Sequence, residues 1–209
     1  MILLDDDPVA APAPPGLFIS GACHDGDETV VLISPDGPDF WHIFTAAPEF
    51  DDGSPDPMDR WSRRVITPWA ATLGGRPILP SDGPPFAPFS RWALASGRFW
   101  SSPVGMIVHD TMGLWASFRG AVILPGRRTL APTDTANPCT DCPRPCLTAC
   151  PAGAFRWGYD VALCHDWLDG VQADDCKSSG CGVRRACPIS AGCGRLPQQS
   201  AWHMRAFHP

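Results

Sequence analysis

Lysine is almost absent from this chain. Among 209 residues Lys177 stands alone, and 16 basic side chains face 22 acidic ones for a net charge of −6. No Lys/Arg-rich stretch is available to neutralise a phosphate backbone, which argues against nucleic acid as a partner. No run of about 18 apolar residues occurs, so no membrane span is expected. The opening Met1-Ile2-Leu3-Leu4-Asp5-Asp6-Asp7 lacks the basic and apolar regions of a secretory signal. The sequence shows no G-x-G-x-x-G after a strand, no phosphate-binding Walker loop, no H-E-x-x-H and no G-x-S-x-G, which removes the common nucleotide, zinc-protease and serine-hydrolase readings. Its histidines, His24, His42, His109, His165, His203 and His208, include no pair at i+3 or i+4, so no helical metal site is implied. Tyrosine occurs once against nine tryptophans. Tryptophan serves mostly in packing.

What the chain has in excess is cysteine, proline and glycine. The 25 prolines and 20 glycines predict short elements and many loops. Eight of the 10 cysteines fall within residues 139–188. Cys139, Cys142, Cys146 and Cys150 come at C-x2-C-x3-C-x3-C-P, and Cys164, Cys176, Cys181 and Cys187 follow, the last again before proline. A cubane cluster needs four thiolates aimed at one point. Three closely spaced cysteines on a tight loop reach one cluster, while the cysteine before proline points away; in two-cluster bacterial ferredoxins it ligates the other cluster. Proline ends the loop because it fixes φ and lacks an N–H. Small residues after each C-P let backbone N–H groups approach sulfur, which tunes the potential. The run departs from C-x2-C-x2-C-x3-C-P by one residue, with Pro143-Arg144-Pro145 standing where two are expected. Zinc knuckles also use C-x2-C, small secreted chains use such cysteines in disulfides, and a single cluster with unused cysteines remains a further alternative.

The CTDCPRPCLTACPAGAF run, the lone cysteine after a short connector (Tyr159 to Cys164) and the closing group ending in C-P resemble the two-cluster ferredoxin domain of epoxyqueuosine reductases and reductive dehalogenases. The resemblance implies two [4Fe–4S] clusters. By position, Cys139, Cys142, Cys146 and Cys187 would hold one, and Cys150, Cys164, Cys176 and Cys181 the other. Cys193 is a spare ligand should Cys176 not serve. The region from 105 to 124 weakly resembles the strand pair that precedes the cluster domain in epoxyqueuosine reductases.

The rest of the chain predicts an α+β protein: a small mixed sheet with backing helices, followed by a bacterial-ferredoxin-like cluster domain. Residues 1–16 are expected as an extended arm, 17–125 as an α+β domain, and 126–209 as the iron–sulfur domain with a C-terminal tail. Residues 17–22 and 29–33 read as a hairpin, with Cys23 at its edge as a buried hydrophobe. A short helix starts at Pro38-Asp39 with Phe40, Ile43 and Phe44 on one face. Glu49 to Pro57 reads as a loop. Met58, Trp61, Val65, Trp69 and Leu73 mark a helix face, with a kink or restart at Pro68 and a stop at Gly74-Gly75. Residues 76–79 read as a strand and 89–96 as a helix. Residues 105–110 and 114–124 read as a second hairpin, and 198–207 as a terminal helix. Arg60, Arg63 and Arg64 form a polar side that suits an acidic partner. Trp157, Tyr159 and Trp167 flank the cluster loops and are expected to exclude water. His165 is expected at the surface or as a cap, or as a hydrogen-bond or proton donor beside Cys164.

Three functions follow as expectations. One is a cytoplasmic electron carrier that delivers single electrons to a redox protein partner. Another is a small reductase acting on a bound corrinoid or other substrate, as the resembling enzymes do. A structural module with clusters as redox-sensitive staples is a third.

Overall fold

The computed structural model describes residues 12–209. The arm expected over residues 1–16 lies, as far as residue 11, outside the described residues. The elements in chain order are β1 (Leu17–Asp25), β2 (Glu28–Pro35), α1 (Gly37–Thr45), α2 (Pro48–Asp51), α3 (Pro57–Thr72), β3 (Arg76–Ile78), α4 (Phe89–Ala95), β4 (Phe99–Ser101), β5 (Ile107–His109) and β6 (Gly120–Pro125), followed by α5 (Val161–Asp169), α6 (Asp174–Ser179), α7 (Gly182–Ala186), α8 (Pro188–Ala191) and α9 (Pro197–Phe207). The protein is α+β, with a small antiparallel sheet and several helices. It divides into two units: the chain up to Phe99 with Ser117–Thr135, and Trp100–Ala116 with Ala136–Pro209. The expected boundary at 125/126 takes no account of Trp100–Ala116, which joins the cysteine region because Val104, Val108 and Leu114 are buried together with Cys146, Phe155, Val183 and Cys187.

The first unit is built on a four-stranded sheet in the order β1-β2-β6-β3. Every neighbouring pair is antiparallel, so the sheet is not mixed. β1 and β2 form the expected hairpin, turning at Gly26-Asp27. Val30–Ile33 and Ala121–Leu124 are buried throughout. Strands covered on both faces read as continuous apolar runs and not as an alternation.

That rule also explains why the second expected hairpin does not form. The run Ala121–Leu124 suits a central strand, and β6 inserts between β2 and β3. β5 pairs instead with β4. The Asp110–Gly113 turn does close, through a bridge between His109 and Gly113. The fully buried His109 holds it: Nδ1 accepts the N–H groups of Thr111 and Met112, each at 3.2 Å.

In α1, Phe40, Trp41 and Phe44 are buried, while Ile43, expected on the inner face, is exposed. The rings of Phe40 and Phe44 meet Trp61 edge-on, with centroids 5.4 and 5.9 Å apart. α3 runs unbroken through Pro68. Pro68 lies on the exposed face, where water can satisfy the carbonyl that loses its partner. Met58, Trp61, Trp69 and Leu73 are buried as the spacing predicts, but Ile66 takes the inner position expected of Val65.

The loop expected after Glu49 begins as α2, and the three arginines explain it. Arg60 grips Asp52 with two bonds of 2.7 Å, Arg63 pairs with Asp82, and Arg64 binds both oxygens of the Glu49 carboxylate. Hydrogen bonding from Arg64 holds the Glu49 carboxyl below the usual range, and Arg60 does the same for Asp52. These guanidinium groups are engaged by the chain's own acids and are not free for a partner's carboxylates.

Candidate metal centre

In the second unit the cysteines sit in or at the ends of short helices and tight turns. Asn137 opens the first loop by accepting the Cys139 N–H at 2.9 Å. The inserted Pro143-Arg144-Pro145 places Arg144 in the left-handed region at φ 57°, and its N–H reaches Cys142 Sγ at 3.4 Å. A non-glycine residue held there costs about 1–2 kcal/mol and marks a position fixed by its surroundings. A single 3-10 turn, Pro145–Leu147, then buries Cys146. After Cys150, a turn closes through Gly153, and Asp160 caps α5 by accepting the Leu163 N–H at 3.0 Å. That cap fixes the helix carrying Cys164, an element the sequence reading left as a connector. Cys176 lies in α6, Cys181 precedes α7, and Cys187 closes α7 and leads into α8.

These elements bring the cysteines together in two groups. Cys139, Cys142, Cys146 and Cys187 all line one cavity of about 350 Å³. Burial first, then the neighbouring thiols of Cys142, Cys187 and Cys146, push the Cys139 thiol up; burial, Cys187 and Cys142 do the same to Cys146. Ser102 lines the same cavity; it is buried, and among the described residues its Oγ has no hydrogen-bond partner. A buried hydroxyl left unpaired is costly, so this atom lacks a partner that the cavity has room to supply.

The second group is Cys150, Cys164, Cys176 and Cys181. Burial pushes the Cys164 thiol up, a hydrogen bond from Tyr159 opposes this, and the thiols of Cys181 and Cys150 add to the rise. Burial also raises Cys176, opposed by the Gly182 N–H and reinforced by Cys181. Tyr159 stacks flat on Phe155 at 4.5 Å, which fixes its hydroxyl toward Cys164. Arg184, from α7, feels the Cys181 charge and hydrogen-bonds the Leu114 carbonyl.

Six of the eight cysteines, Cys139, Cys146, Cys150, Cys164, Cys181 and Cys187, pack in or against one apolar core. All 10 cysteines are free thiols. A zinc site draws its sulfurs to within about 2.3 Å of one point. Among the described residues no three His, Cys, Asp or Glu side chains are grouped so as to hold a metal ion. The first four thiols ring a cavity instead. Four thiols lining one cavity are a donor set that suits a soft, thiophilic metal centre.

Other expected participants fall elsewhere. Cys23 is buried in β1, where burial first and then Asp25 push its thiol up to about 11. The Cys193 thiol interacts with Cys187, of the first group, and not with the group that holds Cys176. His165 pairs with His208 through their Nδ1 atoms at 2.7 Å and stacks against Phe207. Trp157, expected to shield the loops from water, is 99% exposed. Ser102 carried no signal in the sequence, being a common residue outside the cysteine run, and Arg184, though inside that run, is not a ligand type that its spacing singles out. Comparison with protein-family models, curated proteins and solved structures returns no match.

Proposed function

We propose that the second unit holds two [4Fe–4S] clusters and that the chain is an iron–sulfur electron carrier delivering single electrons to a redox protein partner. Cys139, Cys142, Cys146 and Cys187 would hold one cluster, and Cys150, Cys164, Cys176 and Cys181 the other. The carrying observation is that Cys139, Cys142, Cys146 and Cys187 line one cavity, while the thiols of Cys150, Cys164, Cys176 and Cys181 act on one another. No disulfide joins these cysteines, and six of the eight pack in or against one apolar core. Bound clusters supply one-electron storage, at a potential set by net charge and by hydrogen bonds to sulfur.

The chain's own groups bear on that potential. The Arg144 N–H lies against Cys142, the Gly182 N–H against Cys176 and the Tyr159 hydroxyl against Cys164. Among the described residues no helix is long and apolar enough to cross a membrane. Thiolate-held clusters suit a reducing cytoplasm.

Anaerobically purified protein is expected to be brown and to carry about eight irons and eight sulfides per chain. About four irons would leave one cluster. Stoichiometric zinc without visible colour overturns the reading, and a changed axial-ligand EPR signature of added cob(II)alamin would move it to the reductase. A second expectation concerns Ser102. Its hydroxyl supports the reduced, more negative state of a group in the cavity, so Ser102→Ala should retain iron and shift one potential to a more negative value. A redox titration followed by EPR reads both potentials, and two unchanged values would remove Ser102 from the site.

A further inference from the structure

The second unit exposes apolar side chains where a small soluble unit has most reason to bury them. Trp157 is 99% exposed, Val171 92%, Val161 46%, Tyr159 43% and Leu163 41%. Four of these five lie on the loop and first helical turn that lead to Cys164. Tryptophan is a large apolar side chain whose burial on association is a common source of binding energy. The same segment is acidic on balance: between Trp157 and Cys176 there are five aspartates, bounded by Arg156 and Lys177, with Asp175 paired to Arg185 and Asp169 to His208. Asp160, Asp166, Asp169 and Asp174 are exposed.

We propose that this surface docks a redox protein whose own site is apolar at its centre and ringed by lysine and arginine, and that electrons cross through the set Cys150, Cys164, Cys176 and Cys181. The inference rests on the cluster reading above. One electron leaves the reduced chain and one reduces the acceptor's cofactor; no proton or group moves with it.

Three observations single out this thiol set and this partner. None of its four cysteines is buried, whereas Cys146 and Cys187 of the other set are 6% and 8% exposed. Tyr159 joins surface to site, with its ring stacked on Phe155 and its hydroxyl on Cys164. A rigid aromatic loses little freedom on binding. The carboxylates choose the occupant. A second copy would set acid against acid, anionic lipid and nucleic acid would be repelled, and a basic rim would be steered in.

The test uses oxidised cytochrome c as a basic haem-protein probe, with flavodoxin as an acidic control. Calorimetry at low ionic strength should detect binding of cytochrome c that weakens as salt rises, and none of flavodoxin. Trp157→Ala should weaken binding about tenfold or more. Asp166→Asn with Asp174→Asn should flatten the salt dependence. Stopped-flow reduction of cytochrome c by the dithionite-reduced chain should slow in parallel, while reduction of p-benzoquinone, which needs no docking, stays unchanged. Unaltered binding by Trp157→Ala, absence of salt dependence, or equal binding of flavodoxin overturns the proposal. Iron-loaded protein that does not bind cytochrome c refutes the docking surface and leaves the cluster reading standing. Iron-free protein that binds it with the Trp157 dependence keeps the surface and refutes electron transfer through the cysteines.

Discussion

Cys187→Ser and Cys164→Ser should each remove about four of about eight irons, and from opposite sets. Cys187 stands beside Cys139 and Cys146 and lines their cavity; Cys164 stands beside Cys150 and Cys181. Serine offers a harder oxygen ligand that is far less readily deprotonated, so the cubane relying on that corner is lost. The two variants should therefore leave different EPR spectra whose sum resembles that of the parent. Cys23→Ala is the control, because Cys23 is buried in the sheet of the first unit and its thiol is raised to about 11. It should keep all of its iron. If Cys187→Ser and Cys164→Ser erase the same signal, or if Cys23→Ala loses iron, the division of ligands is wrong.

The first unit was legible where one local rule governed. The β1–β2 hairpin declared itself by two β-branched runs around a Gly-Asp turn, and α3 by its spacing of 3 and 4. The errors came from residues whose role is set at long range. Ala121–Leu124 reads equally well as half of a hairpin or as a central strand, and only its placement between Val30–Ile33 and Arg76–Ile78 decides. Ile66 displaces Val65 because the space beneath it is left by Gly120, where an added Cβ would come within 2.8 Å of the Ile66 side chain. Arg60, Arg63 and Arg64 looked free because their partners, Asp52, Asp82 and Glu49, lie 8, 19 and 15 residues away.

In the second unit, cysteine spacing carries the expectation of metal binding, since thiols this close together suit a metal centre. The spacing says nothing of the groups that turn toward those thiols from outside the run. Ser102 is an ordinary serine before a proline until the fold lines a thiol cavity with it. Trp157 flanks the cysteine loops, a position that predicts shielding, and its exposure makes it a candidate contact instead. A docking surface read from arginines on α3 thus gives way to an acidic, aromatic one. On α3 all three arginines are paired with the chain's own acids, whereas on the acidic segment Asp169 and Asp175 are paired, with His208 and Arg185.

Gly113→Ala should disturb one thiol set without changing any cysteine. Gly113 lies at φ +57°, where an alanine costs about 1–2 kcal/mol. Its added Cβ would fall 2.4 Å from the Ser190 nitrogen and 2.5 Å from the Ser190 hydroxyl. Backbone nitrogen cannot rotate aside, so Ser190 must move. Ser190 Oγ accepts the buried Leu114 N–H at 2.9 Å, and losing that partner costs about 1–3 kcal/mol more. Ser190 stands three residues after Cys187, in α8, and Leu114 lines the cavity that Cys187 shares. The displacement therefore reaches the first thiol set before the second. Denaturant unfolding should show a loss of about 2–5 kcal/mol, adding the two terms, and iron analysis with EPR should show depletion of the set that Cys187→Ser removes. Gly105→Ala is the matched control: Gly105 is also left-handed, at φ +76°, but an added Cβ meets nothing within 4 Å. It should carry the conformational cost alone and keep its iron. If the two alanines cost the same and Gly113→Ala keeps both EPR signals, the Gly113–Ser190 contact is not what holds Cys187 in place.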